Sequence, residues 1–498
     1  MKKIIAVILA VVLAFSVSTA AFAKGIDDKC DCGYVPVIYV TGFAQTNLAA
    51  NAGTEDEYMV FFPEVGAILK CVAKIILPAA MLVVTGDYGR FEKALAPAVN
   101  ELFADVACDA DGVPLNETVD IVIRDLPSAD HTAYTYNYFR YDWREDVFDI
   151  AAELNEFIEQ TKALTGHDKV ALKAESMGGA VVMTYLYEYG SDSVDTVVMQ
   201  SAAYRGISLM GSLFRGDIDI KGASVLDYIG NFLEGNSPDM MLYRALLMSV
   251  GKVIINPLAD ILDKLFDNIG EDIYDDSLKA TIGWIPGVWT FVPYDEYDEA
   301  KAYILDEDIN AKLIEKIDRY QYNVAPYTKQ LLDEAMANGM KLCIVSHYGK
   351  AATPVISYDT YESDFLIDTK RTSFGATCAD FGSTLGDGYV QAINDGHNHL
   401  SCDGEIDAST CTYPEQTWFI KDMVHTWYTK GYTKFVYDLI YCDEQPTIET
   451  FAEYPQFFCN NQETGKLEIL SEENQDTRKT DIDVPAILKM VVEKIKGE

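Results

Sequence analysis

The chain has 498 residues, of which 49% are hydrophobic, so it can bury a large core. Acidic residues outnumber basic ones by 78 to 39, and the formal charge of −39 excludes nucleic acids and anionic bilayers as plausible partners. Ten cysteines are too few for a disulfide scaffold, and because no CxxC pair occurs, the sequence predicts neither a zinc ribbon nor a thioredoxin-like site.

The first 23 residues have the pattern of a secretory signal peptide. Lys2 and Lys3 form a basic region, residues 4–17 are apolar, and the Ala-Phe-Ala run at 21–23 fits a cleavage site. The apolar run is too short to span a bilayer comfortably, although an uncleaved membrane anchor is the alternative. The sequence therefore predicts a secreted protein, cleaved after Ala23, whose mature chain has no transmembrane segment.

Secretion makes disulfides between nearby cysteines plausible. The expected pairs are Cys402 with Cys411, Cys442 with Cys459, and Cys71 with Cys108. Cys343 lies in an apolar run and is predicted to be a buried thiol.

From residue 35 onward, short apolar strands alternate with helical patterns. Strands are predicted at 35–40, 120–124, 136–140, 170–172, 194–200, 341–346 and 417–421. Helices are predicted at 144–165, with Gly166 as the stop, and at 180–189. This alternation predicts an α/β fold with a mostly parallel sheet flanked by helices.

The long interval from 205 to 335 is interpreted as a helical cap inserted into one core, which comprises residues 24–204 and 336–498. Helical patterns occur at 240–250 and 258–269, and apolar segments occur at 209–214 and 284–293. Ordinary packing of the cap explains most of these residues. The alternative is that Trp284, Trp289 and Phe291 line an acyl-chain channel or belong to a mobile lid.

Ser176 lies between a predicted strand and a predicted helix, with Ala174 and Gly178 two residues to either side. A serine in this setting is typical of a nucleophile elbow, a turn too tight for large flanking side chains. The turn would expose the Ser176 hydroxyl and direct the Met177 N–H and the helix N-terminus toward a developing oxyanion.

Chain order limits the choice of catalytic base, because in this kind of fold the order is Ser, Asp, His. His131 and His167 precede Ser176 and are disfavoured. His347 ends a strand and could be a satisfied core histidine.

His425 follows the strand at 417–421, just before the C-terminal helical region, which is the position expected for the base. His397 and His399, in a polar loop, are its rivals. These two could instead bind a metal, but without an adjacent third ligand no metal site is predicted.

The candidate acid is Asp387, which stands between Gly386 and Gly388 on a turn from which a carboxylate could reach the imidazole. A plain Gly-Asp-Gly hairpin turn is the alternative. For the oxyanion hole, Phe43 follows the first core strand and could supply the second N–H beside that of Met177.

Several of these motifs together resemble the lecithin:cholesterol acyltransferase-like branch of the α/β-hydrolases, which includes bacterial lipases and phospholipases. The matching segments are residues 36–42, 139–144 (Phe-Arg-Tyr-Asp-Trp-Arg), 175–179, 286–293 and 386–390, with the late His425. Two positions depart from the family pattern, since Glu175 replaces a usual His and Thr41 replaces a usual Pro.

The resemblance implies an α/β-hydrolase fold with the catalytic triad on Ser176, Asp387 and His425 and the oxyanion donors on Phe43 and Met177. It also draws attention to Asp142, Trp143 and Arg144 as a structural group near the site; lining of the substrate entrance is their alternative role.

The function expected from these features is that of a secreted serine hydrolase that cleaves carboxylic esters of lipids through an acyl-enzyme. O-acyl transfer is a further option, and no cofactor is expected. The alternatives are a catalytically silent lipid-binding protein and a secreted peptidase on the same scaffold. The expected partner is a lipid or other ester, encountered at a lipid–water interface.

Overall fold

A computed structural model of the chain describes residues 30, 32–61, 74, 77–78, 81, 85, 88–217, 281–353, 361–461 and 464–475. The predicted signal peptide and the helical patterns at 240–250 and 258–269 lie outside the described residues.

An eight-stranded sheet forms the centre of the molecule. Its strands, in chain order, are β1 (Val37–Val40), β5 (Asn137–Phe139), β6 (Val170–Ser176), β7 (Val194–Ala202), β8 (Lys341–Tyr348), β13 (Thr417–Lys421), β14 (Phe457–Asn461) and β15 (Lys466–Ile469). The spatial order is β15-β14-β13-β8-β7-β6-β1-β5. All neighbours pair in parallel except β14 with β15, which are antiparallel.

Smaller sheets lie beside this one. Their strands are β2 (Leu48–Ala50), β3 (Tyr58–Phe61), β4 (Val119–Ile121), β9 (Lys350–Ala351), β10 (Glu362–Ser363), β11 (Thr377–Cys378) and β12 (Ile406–Asp407). The first three form an antiparallel sheet in the order β3-β2-β4. The strand predicted at 120–124 is thus real but lies outside the main sheet.

Helices connect most of the parallel strands. They are α1 (Tyr88–Phe103), α2 (Val147–Thr165), α3 (Gly178–Tyr189), α4 (Ser208–Phe214), α5 (Tyr297–Ile304), α6 (Ala311–Asn323), α7 (Thr328–Ala337), α8 (Thr369–Thr372) and α9 (Tyr432–Ile440). None of the helices among the described residues is long and apolar enough to cross a membrane.

Helix α2 shows how the sequence sets an element's limits. Asp146 caps its first turn, accepting a hydrogen bond from the Phe148 N–H at 3.0 Å. Gly166 ends it in the left-handed conformation, with φ of 72°, as the sequence predicts. The buried face includes Ile150, Leu154 and Ile158, which repeat at helical spacing and pack on the sheet.

This mostly parallel sheet with flanking helices confirms the predicted α/β-hydrolase fold. The predicted boundary of the cap at residue 335 falls within α7, a helix that contacts α3 and β8 of the core. The cap as a whole stays a prediction, because residues 218–280 lie outside the described part of the chain.

Among the described residues, the predicted disulfides Cys402–Cys411 and Cys442–Cys459 are not formed. Cys402, Cys411, Cys442 and Cys459 are all free thiols, as is Cys108, whereas Cys71 lies outside the described residues. Cys343 is buried within β8, in agreement with its apolar sequence context.

Candidate active site

Ser176 occupies a sharp turn at the carboxyl end of β6, immediately before α3. Its φ of 53° lies in the left-handed region that non-glycine residues rarely adopt, which is the strain expected of a nucleophile elbow. The glycines that follow are required by close packing. A Cβ at Gly178 would lie 2.3 Å from the Val40 carbonyl oxygen, and one at Gly179 would lie 2.7 Å from the Ala202 Cβ.

The turn after β1 lies directly against the serine. A Cβ at Gly42 would come within 2.6 Å of the Ser176 Cβ and 3.2 Å of its Oγ, so only glycine fits there. Phe43 begins a short 3₁₀ helix in this turn, and Met177 is the N-cap residue of α3. Neither the Phe43 N–H nor the Met177 N–H donates to an acceptor within the described part of the chain, so both could bind an oxyanion.

His425 is held by Asp364 through two hydrogen bonds. Its Nδ1 lies 2.7 Å from Asp364 Oδ2, and its backbone N–H donates to the Asp364 carbonyl at 2.8 Å. The second carboxylate oxygen of Asp364 accepts the N–H groups of Leu366 and Ile367 at 3.0 and 2.7 Å. The imidazole orientation is therefore fixed, with Nε2 left for chemistry.

The electrostatics of this pair fit an orienting acid and a base. Burial on its own lowers the pKa of His425, but the charge and hydrogen bond of Asp364 hold that pKa above its ordinary value. Burial acts to raise the pKa of Asp364, and His425 outweighs this, so the Asp364 pKa is lowered. Asp364 is thus the stable anion of the pair.

The predicted acid, Asp387, is not at the site. It lies on an exposed turn between Gly386 and Gly388, both of which have positive φ. The alternative interpretation of this motif, a turn without a catalytic role, is therefore the one that the structure supports. The position beside His425 is taken instead by Asp364, which sequence reasoning missed. Asp364 follows β10 in the connection between β8 and β13, so the chain order Ser, Asp, His is preserved.

The rival histidines are engaged elsewhere. His399 is buried, with its ring nitrogens 2.7 Å from Gln456 Oε1 and 2.9 Å from Asp395 Oδ2. The ring of His397 pairs with Glu449 at 2.9 Å. His347 is buried in β8, where burial lowers its pKa to about 4, so it stays neutral.

A largely apolar cavity of about 290 Å³ opens onto Ser176 and His425. Its wall includes the side chains of Phe43, Phe61, Trp143, Val288 and Phe291. Among the described residues, Thr426 is the one polar residue besides Ser176 and His425 that borders this cavity. Within this part of the chain no hydrogen bond joins Ser176 Oγ to His425, although both face the cavity.

Within residues 142–144, Asp142 and Arg144 support the loop, whereas Trp143 lines the cavity. The Arg144 guanidinium is buried, binds both carboxylate oxygens of Asp142 at 2.6–3.1 Å, and donates to the Val119 carbonyl at 3.0 Å. These contacts anchor the loop after β5. Trp143 faces the cavity and packs on Phe43, with ring centroids 4.2 Å apart.

The 3₁₀ helix at Pro286–Phe291, which lines the cavity together with Ser176, is held in place by several contacts. A Cβ at Gly287 would lie 2.1 Å from the Trp143 carbonyl oxygen, so the 3₁₀ helix at Pro286–Phe291 rests directly on that loop. The Ile207 N–H donates to the Phe291 carbonyl at 2.7 Å, and the Gln321 side chain donates to the Trp289 carbonyl at 2.7 Å.

The aromatic residues predicted to cover the site behave differently from one another. Phe291 lines the cavity. Trp289 is buried away from it, against Phe214 at 4.8 Å between ring centroids, and is packing within the fold. Trp284 is partly buried against the core cluster.

Glu175 points away from the cavity into a buried polar network. Its carboxylate accepts hydrogen bonds from Gln45 Nε2 at 2.7 Å and from the Tyr428 hydroxyl, which in turn accepts from Gln200. Gln45 also accepts the Gly42 N–H at 2.8 Å, which joins this network to the candidate oxyanion turn. Burial raises the pKa of Glu175 to about 8, so the residue is mostly neutral at pH 7.

No family model matches the chain, and no curated protein matches it. Among solved structures it is similar to a serine hydrolase from the polyaromatic hydrocarbon-degrading bacterium Cycloclasticus zankles, at 13% sequence identity. The match covers 41% of this chain and 80% of that chain, with a TM-score of 0.14. A likeness this distant carries no weight for the reaction or the substrate.

Proposed function

We propose that the protein is a secreted serine hydrolase that cleaves carboxylic esters with an apolar acyl chain, as lipases and phospholipases do. The observation that carries the proposal is the apolar cavity that ends at Ser176 and His425. An apolar cleft with only a few polar groups, all beside a candidate nucleophile, is suited to an acyl chain whose carbonyl lies at those groups. The resemblance of the motifs to the lecithin:cholesterol acyltransferase-like branch supports the same substrate class.

In this proposal His425 is the general base. It takes the Ser176 hydroxyl proton on Nε2 as the Ser176 Oγ attacks the ester carbonyl, while Asp364 keeps the other ring nitrogen protonated and stabilises the imidazolium. Substrate binding must shorten the distance between Ser176 and His425, as commonly happens between apo and bound states.

The Phe43 and Met177 N–H groups would hold the oxyanion of the tetrahedral intermediate. His425 then gives its proton to the leaving alcohol, which leaves an acyl group on Ser176. Water, activated by the same histidine, releases the fatty acid. An alcohol in place of water would give acyl transfer.

The neutral state of Glu175 supports this assignment. An ionised carboxylate directly before the nucleophile would oppose a developing oxyanion, but burial keeps the Glu175 pKa at about 8. The departure from the usual His of the family is therefore compatible with catalysis near pH 7.

The test is labelling with a fluorophosphonate probe followed by ester kinetics. We expect the probe to label Ser176 and the Ser176→Ala variant to lose both labelling and turnover. Each methylene added to the acyl chain should raise kcat/KM about fourfold until the cavity is full, since a buried methylene contributes about 0.8 kcal/mol.

The alternatives give other results. A lipid-binding protein without activity would show no labelling but would retain fatty-acid binding. A peptidase would turn over peptide amides in preference to long-chain esters. Equal rates for all acyl lengths would remove the apolar cavity from the substrate site.

A further inference from the structure

Two cysteines and two histidines meet at the end of the sheet opposite the candidate active site. Cys30 and Cys32 precede β1, His131 lies in the loop before β5, and His167 follows the last residue of α2 and precedes β6. All four are therefore near the amino ends of parallel strands. Ser176 lies at the carboxyl end of β6, on the order of 20 Å away along a seven-residue strand.

The four potential ligand atoms are close enough to share one ion. The two sulfurs and one nitrogen from each ring all lie within 4.8 Å of one another. Cys30 Sγ is 3.3 Å from His131 Nε2, and Cys32 Sγ is 3.6 Å from His167 Nε2. For tetrahedral zinc with bonds of about 2.3 Å to sulfur and about 2.05 Å to nitrogen, the sulfur–nitrogen edge is about 3.6 Å.

The surrounding contacts hold these side chains in place. The Cys30 N–H donates to the Gly166 carbonyl at 3.1 Å, which fixes the N-terminal segment beside His167. His131 Nδ1 lies 2.7 Å from the Ala129 carbonyl oxygen. An imidazole that donates from Nδ1 to a carbonyl presents Nε2 as the ligand, which is the usual arrangement around protein metals.

We propose that Cys30, Cys32, His131 and His167 bind one Zn²⁺ ion in a closed tetrahedral site. Two thiolates with two imidazoles are the donor set of structural zinc, and four protein ligands leave no open position for catalysis. The sequence predicted no metal, because the cysteines form a C-x-C pair and the histidines that complete the set are 101 and 135 residues away.

The role of the ion is structural. It ties the segment that leads into β1 to two separate connections of the core, which lie beside β5 and β6. Because binding requires the folded arrangement, the ion should stabilise the fold and leave the chemistry at the other end of the sheet unchanged.

The first experiment measures metal directly in the purified mature chain. After loading with zinc and removal of excess ion, we expect about one zinc per chain by mass spectrometry of the elements. Cobalt in place of zinc should give the intense visible bands of tetrahedral coordination and a thiolate charge-transfer band in the near ultraviolet. Absence of stoichiometric zinc in the intact protein, or detection of a Cys30–Cys32 disulfide in its place, would overturn the proposal.

Variants then locate the ion. Cys30→Ser and His131→Ala should each lose the bound zinc, whereas Cys402→Ser, which removes an exposed thiol elsewhere, should keep it. Zinc retained at full stoichiometry in Cys30→Ser would place the ion at another cluster and refute the site.

Stability provides the last readout. Chelation should lower the Tm of the wild type and of Cys402→Ser but leave that of Cys30→Ser unchanged. Ester turnover measured well below the Tm should not depend on zinc. A proportional loss of turnover and metal at constant Tm would contradict a structural role.

Discussion

Replacing Asp364 with Asn should nearly abolish ester turnover, because the amide would reverse the hydrogen bonding of His425. The substituted side chain would keep the oxygen that accepts the Leu366 and Ile367 N–H groups, so the loop should stay folded. Its NH₂ group would face His425 Nδ1, now 2.7 Å from a carboxylate oxygen. The imidazole would then carry its proton on Nε2 and could not accept one from Ser176.

The size of this effect follows from related chemistry. In serine proteases the same change of the triad acid to its amide lowers kcat by about 10⁴, or roughly 5 kcal/mol of transition-state stabilisation. We expect a loss of similar order here. Asp387→Asn is the matched control, since an exposed residue on a turn should change activity by about twofold at most, equivalent to about 0.5 kcal/mol.

The assay compares kcat of both variants on one soluble ester, with Tm as the check on folding. A loss of less than about tenfold in Asp364→Asn at unchanged Tm would refute the assignment of the acid, since catalysis would not depend on the His425 tautomer. So would a greater loss in Asp387→Asn than in Asp364→Asn.

Three further predictions concern residues around the site. Burial raises the pKa of Glu175 from its ordinary value of 4.5 to about 8, so as the pH rises this carboxyl ionises in the unfolded chain before it does in the fold. The contribution of Glu175 to the free energy of unfolding should therefore be full below pH 4.5 and fall as the pH rises to 8, with a loss on the order of 3 kcal/mol at pH 7. The Tm of Glu175→Gln should therefore decline less than that of the wild type between pH 5 and pH 8, and parallel declines would show that the carboxyl is not protonated in the fold. Arg144→Ala should destabilise the protein by about 3–5 kcal/mol, because it leaves the carboxylate of Asp142 without its partner; weakened activity at an unchanged Tm would contradict this structural role. Phe291→Ala should shift the preferred acyl length upward, whereas Trp289→Ala should destabilise the fold by about 3–5 kcal/mol, seen as a lower Tm, without that shift, and the reverse pattern would exchange their roles.

The regular elements could be predicted because their signals are local. The strand at 417–421 has the bounds expected from its apolar run, and Gly166 ends α2 because a left-handed residue is needed there. The elbow at Ser176 was similarly visible, since its steric requirements concern adjacent residues. The strand around residue 120 was found, but its place in a separate sheet depends on pairing partners remote in sequence.

The candidate acid could not be found in the same way. Asp364 is selected by the path of the connection between β8 and β13, which brings it to His425 across 61 residues. In sequence the Gly-Asp-Gly turn at 387 looked more like a catalytic position, because turn residues and family motifs are local patterns. The cysteine–histidine cluster was missed for the same reason, since only the fold brings its four members together.

The contacts that hold the Pro286–Phe291 segment in place bear on how the proposed preference for acyl length could be altered. With Gly287 pressed against the Trp143 carbonyl and Gln321 holding the Trp289 carbonyl, this backbone cannot easily collapse into space vacated by a smaller side chain. Substitutions at Phe291 should therefore act as graduated changes in cavity depth. If the cavity holds the acyl chain, as proposed, a series of larger and smaller side chains at position 291 would set the acyl length that the protein accepts.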